Sequence, residues 1–240
     1  MTVLHLADEG EAADLAAFLS RLLHYDRSAA VRLQAAGTAL AVFGRPPSFE
    51  VLAVRAVRLA KPYENGLDVT LDVTVSAGEL LETVDEQAAT SGVPEAVTGP
   101  PWAGVLPPRG GWRTEAGLPA PDALRALVAA AVAEFRTRTG ELDPEDRTRA
   151  ELDRVGREIW SRSVGDTGLP VRAVHAAQSL GFLRSRGTPP GSGSGAGCGT
   201  DLAEDAPKLL SSGAWLRLRT PFGSVALRRA GTGALGISVR

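Results

Sequence analysis

Apolar positions along the chain change period several times, and each change marks an element. Thr2–Ala7 alternates apolar and polar residues and stops at Asp8, which predicts a short strand. The period then lengthens: Leu15, Phe18, Leu19, Leu22 and Leu23 fall at i, i+3, i+4, i+7 and i+8, one face of a helix. Asp8 with Glu11 supplies a capping-box start, and His24, Tyr25 and Asp26 end it. Ala30–Ala35 and Thr38–Gly44 read as strands joined by a tight turn at Ala36-Gly37. Phe49–Ala60 alternates with both faces mostly apolar, the signature of a central strand. Leu67–Val75 carries its apolar residues on one face only, so one side should be solvated. Ser76 with Glu79 then opens a helix expected over Ala77–Gln87.

Residues 88–122 break this rhythm with seven prolines and hold Trp102 and Trp112. Two Trp in a proline-rich connector predict a segment packed on a domain surface. Helical periodicity returns over Asp122–Arg138 through Leu124, Leu127, Val128, Ala131, Val132 and Phe135. Asp143-Pro144 predicts the start of a second helix running to Trp160, with Leu152, Val155 and Ile159 inward. Pro170 opens a third over Val171–Leu183. Residues 187–200 are a Gly/Ser-rich loop, Leu209 falls in a short helical stretch, and 214–229 reads as a hairpin turning at Thr220-Pro221-Phe222-Gly223. The expected class is α+β. A helix-plus-antiparallel-sheet domain (1–90) leads through a Pro/Trp-rich connector (91–121) to a basic helical domain (122–240) ending in a hairpin.

Charge sharpens this division. Residues 169–240 carry a net +6 and residues 1–168 a net −8, which points to an anionic partner for the C-terminal part or to attraction between the two parts. Of 26 basic residues only Lys61 and Lys208 are lysines, so a single arginine is a weak signal in this composition. The one cysteine, Cys198, excludes an internal disulfide and suits a reducing cytoplasm. The opening MTVLHLADEGEAADL lacks the basic and apolar regions of a signal peptide, and no run has the length of a membrane span.

Reactive residue types are scattered. His5, His24 and His175 have no metal-ligand spacing, and His175 lies among small apolar residues as a packing histidine would. Cys198 lacks the fixed base a nucleophile needs. The Gly-rich run is not followed by G-K-[ST], so it is no phosphate loop. Asp68 and Asp72 share a strand face, but a solvated face is the commoner origin of that pattern. No catalytic residue, metal site or cofactor is assigned, and the chain reads as a binding protein.

The element order of the C-terminal part, three helices and then a hairpin, is that of a winged helix-turn-helix. Arg172, Arg184, Arg186, Arg217, Arg219, Arg228 and Arg229 would meet phosphates. Trp215 shares a strand face with Arg217 and Arg219, which suits nucleic acid. The alternative is a protein partner held by the N-terminal sheet and the Trp102/Trp112 segment.

Residues 2–86 run strand, helix, strands, helix, and the stretch DVTVSAGELLETVD resembles the place where a strand feeds a helix in sliding-clamp subunits. That resemblance implies a fold and no function. As a whole the chain resembles a protein family of high-GC actinobacteria, which lends no activity.

Overall fold

The computed structural model describes residues 2–62, 70–184 and 206–229. In chain order these form β1 (Val3–His5), α1 (Glu9–Tyr25), β2 (Ala30–Ala36), β3 (Ala39–Gly44), β4 (Leu52–Arg58), β5 (Thr70–Ser76), α2 (Ala77–Glu82), β6 (Val84–Asp85), β7 (Thr90–Gly92) and β8 (Arg113–Glu115). There follow α3 (Pro121–Gly140), α4 (Arg149–Trp160), α5 (Val171–Ser179), β9 (Lys208–Ser212), β10 (Trp215–Thr220) and β11 (Gly223–Arg228). The class is α+β, with one antiparallel sheet of eight strands in the order β5-β2-β3-β4-β11-β10-β9-β8 and a small sheet β1-β7-β6.

Local signals explain most starts and stops. The Asp8 side chain accepts from the Glu11 backbone N–H at 2.8 Å and caps α1. Gly37, at φ 57°, makes the left-handed turn between β2 and β3. Ser76 caps α2 through the Glu79 N–H. That helix stops at Glu82, short of the Gln87 expected, because Thr83 turns its hydroxyl to the Leu80 and Gly92 carbonyls and the chain enters β6. Phe49 and Val51 are buried but do not extend β4. Pro47–Phe49 is a 3-10 turn, and Glu50 is left-handed at φ 52°. Thr148 caps α4 through the Glu151 N–H, so the helix begins at Arg149 and not at Asp143-Pro144, which lies in a turn.

Both faces of β4 are apolar because it lies in mid-sheet, between β3 and β11. On the inner side Val31, Leu33, Val42, Ala53, Leu218 and Val225 form one core with α1, α2 and the three later helices. The C-terminal hairpin is the main correction. A wing projects freely from its helices; here β11 pairs with β4 through Ser224↔Val54, Val225↔Ala53 and Ala226↔Leu52. The segment around Leu209 is the strand β9, paired to β10, and not helical. A run as short as Lys-Leu-Leu-Ser-Ser carries no decisive period by itself. The hairpin is therefore the middle of a continuous sheet.

A buried clasp fixes this seam. Arg55, 5% exposed, reaches from β4 to Glu11 (2.9 Å) and Asp14 (3.2 Å) of α1 and donates to the Phe222 carbonyl at the hairpin turn (2.8 Å). The turn itself rests on Phe182: a Cβ at Gly223 would stand 2.6 Å from that ring, so only glycine allows the approach.

The outer side of the sheet is crossed by the proline-rich connector. Val97 N–H donates to the Thr74 carbonyl on β5, the Arg32 guanidinium holds the Ala103 carbonyl, and Trp102 and Leu106 pack on Phe43, Leu52 and Val54. Ser212 of β9 then donates to the Gly110 carbonyl, just before the chain enters β8. Residues 97–112 are thus a strap from one sheet edge toward the other. Among the described residues no helix is long and apolar enough to cross a membrane.

Candidate nucleic-acid interface

Alternation on β10 sorts Trp215-Leu216-Arg217-Leu218-Arg219 onto two sides of the sheet. Leu216 and Leu218 are buried in the core beneath α5. Trp215, Arg217 and Arg219 stand on the outer side, as their period of two requires. Pairing adds neighbours from other strands. Arg219 lies opposite Lys208 of β9 and Ser224 of β11, and Trp215 lies opposite Arg228. Lys208, Arg217, Arg219, Thr220 and Ser224 line a hollow of about 210 Å³, together with Val54 and Ala56 of β4.

Three cations thus converge from two strands. Like charges at that spacing repel by on the order of 1 kcal/mol per pair before screening. Among the described residues none of the three makes an ion pair, whereas Arg172, Arg184 and Arg229 do. Arg217 is the best fixed: its Nε donates to Ser224 Oγ at 2.8 Å, and its guanidinium carbon lies 5.7 Å from the centre of the Trp112 ring. Burial pushes its pKa below the ordinary arginine value, and the neighbouring Arg219 charge adds to this. It stays charged at neutral pH, since the arginine value starts so high. The hollow offers cationic donors, a serine hydroxyl and flanking aromatic rings. It fits an anion.

The other residues singled out by sequence lie elsewhere. Arg172, on α5, sits 3.5 Å from Glu50. Arg184 pairs with Asp14 and covers the Phe222 ring at 3.9 Å. Arg229 pairs with Glu115 at 3.0 Å, and Arg228 is exposed. Arg186 lies outside the described residues, as do Cys198, Asp68 and the Gly/Ser-rich run 187–200. Asp72 is held by both nitrogens of an Arg32 fork and by Gln34, and that Arg32 hydrogen bond keeps its carboxyl below the usual range. Trp102 anchors the strap, and Trp112 donates its indole N–H to the Pro108 carbonyl at 3.0 Å. His175 stacks on Trp160 at 4.7 Å with Phe49 edge-on, and burial lowers its pKa. The attraction between acidic and basic parts therefore uses some arginines and leaves a compact group on the sheet.

Sequence reasoning passed over Lys208 and Ser224. Lys208 had a signal, since a lysine in a chain whose basic residues are otherwise nearly all arginine stands out from its composition. Ser224 had none, because its place beside Arg217 depends on strand register.

Residues 107–232 match the family described as Domain of unknown function (DUF8185), and residues 1–104 match Domain of unknown function (DUF8010). No curated protein matches the sequence. Among solved structures the chain is similar to a DNA polymerase sliding clamp from Pseudomonas aeruginosa, with 12% identity and a TM-score of 0.46. The match covers 97% of this chain and 66% of the clamp chain. At that level the likeness is one of outline, and no residue's role passes with it.

Proposed function

The chain belongs to the family described as Domain of unknown function (DUF8185), and we propose that it is a non-catalytic protein that binds nucleic acid on the outer side of the C-terminal strands. The observation that carries this reading is the convergence of Lys208, Arg217 and Arg219 without an acid to neutralise them among the described residues. A cluster of that kind is repelled internally until a polyanion supplies the opposite charge, and counterion release then favours the complex. Trp215 shares the outer face of the strand with Arg217 and Arg219, and a ring so placed can stack on an unpaired base. This favours a single strand over a duplex. It replaces the wing-and-recognition-helix mode, because the hairpin is not free to enter a groove. A cytoplasmic setting accords with the single cysteine.

A protein partner at Trp102 and Trp112 draws less support. Both side chains are already engaged, Trp102 with the sheet and Trp112 with Pro108 and Arg217. The test is binding of a labelled single-stranded oligonucleotide across a salt series. Affinity should fall as salt rises, and Arg217→Ala with Arg219→Ala should weaken it by about 10- to 100-fold and flatten the logarithmic salt slope by about 1.4, the share of two phosphate contacts on a single strand. Binding that is absent at low salt, or unchanged in the double variant, rejects the reading.

A further inference from the structure

On the other side of the sheet a groove of about 780 Å³ runs between α4, the start of α5 and the turn at Pro47–Phe49. This is within the size range of small-molecule sites. We propose that it binds a small aromatic anion of the nucleoside-phosphate type. The site is separate from the sheet cations.

Gly156 sits inside α4, where glycine disfavours the helix relative to alanine. Packing does not demand it: a Cβ there would meet Phe135 and Trp160 at 3.5–3.6 Å, ordinary contact. Its lack of a side chain opens the groove wall against those two rings. Trp160 is already stacked on His175 at 4.7 Å, which fixes its plane. Its indole N–H finds no protein acceptor among the described residues, and its Nε1 lies 3.6 Å from the position that a Gly156 Cβ would take. A flat ring has an aromatic surface and an open slot to enter.

The polar lining is rich in donors. Arg149 has Asp153 at 3.8 Å, and Arg172 has Glu50 at 3.5 Å, so both acids of the groove are spoken for. Arg157 has no carboxylate within reach among the described residues. Arg172 Nε is shut off from solvent and makes no hydrogen bond, so its ion pair with Glu50 is loose. Glu50 reaches that pair from the left-handed region at φ 52°, a strained conformation for a residue other than glycine. An acceptor-rich anion between Arg157 and Arg172, with its ring against Trp160, satisfies the Arg157 donors that the protein leaves unused.

The experiment is quenching of intrinsic tryptophan fluorescence in the full chain by adenosine monophosphate, with adenosine and inorganic phosphate as separate arms. Saturable quenching by the nucleotide is expected, at least 10-fold tighter than by adenosine, with no effect of phosphate alone. Trp160→Phe should remove the signal, and Arg157→Glu, a change at an exposed position, should weaken binding at least 10-fold. Gly156→Leu should block it, with circular dichroism confirming the helix. Arg217→Ala with Arg219→Ala should leave it unchanged. Equal binding of adenosine, no binding in the millimolar range, retention in Arg157→Glu, or loss in the sheet double variant overturns the proposal.

Discussion

At the scale of single residues, the same side-chain type serves opposite ends in this protein. Arg55 is buried and used up by Glu11, Asp14 and the Phe222 carbonyl. Removing one partner of such a cluster leaves the other charges stranded, so Arg55→Ala should cost about 3–5 kcal/mol in urea unfolding. A loss below about 1 kcal/mol would show that water reaches Glu11 and Asp14. Between α3 and α4, Arg138 grips both oxygens of Glu158 at 2.8 Å, and Glu134 takes Arg162. The Arg138 hydrogen bonds hold the Glu158 carboxyl down to about 2. A carboxyl with a depressed folded pKa stabilises above its unfolded value, and that contribution fades as pH falls toward about 2. Acid unfolding should thus be shallower in Glu158→Gln than in the parent between pH 4.5 and 2, measured by circular dichroism. Identical pH profiles would contradict the assignment.

At the scale of elements, much was legible. Long amphipathic runs gave α1, α3 and α5, and both-faces-apolar alternation placed β4 in mid-sheet, because period and burial are coupled directly. β9 escaped because five residues cannot establish a period, and β6 and β7 because two and three residues are fewer still. The hairpin was read from its turn, but its partner strand was not: Ala226↔Leu52 joins residues distant in sequence, and no local pattern announces that pairing. For the same reason the Arg217 and Arg219 face was readable on one strand while Lys208 and Ser224 were not. The strap was expected from its two Trp residues, and its anchor can be tested. Trp102→Ala removes a half-buried ring from Phe43, Leu52 and Val54, and should cost about 2 kcal/mol, below the range for a fully buried aromatic. Faster amide exchange should appear at Val97 and Ala103, while protection in α3 stays the same. Exchange unchanged along the strap would mean that its backbone bonds alone hold it.

At the scale of the whole molecule, the charge division resolves into two kinds of contact. Part of the C-terminal excess pairs with acids of the N-terminal half, Arg184 with Asp14 and, more loosely, Arg172 with Glu50. Three further cations, Lys208, Arg217 and Arg219, lie together on the outer side of the sheet, where Lys208 and Arg219 face each other across β9 and β10. The buried Arg55 clasp is screened weakly by salt, whereas counterion release makes the binding of a polyanion at the sheet cations strongly salt-dependent. The decisive measurement is the salt dependence of single-stranded oligonucleotide binding by the full chain and by Arg217→Ala/Arg219→Ala, with urea stability recorded for both. A polyanion site at these cations gives the variant a flatter salt slope and a complex about 10- to 100-fold weaker, beyond what any change in its urea stability explains. Equal affinity and slope in the two proteins would contradict it.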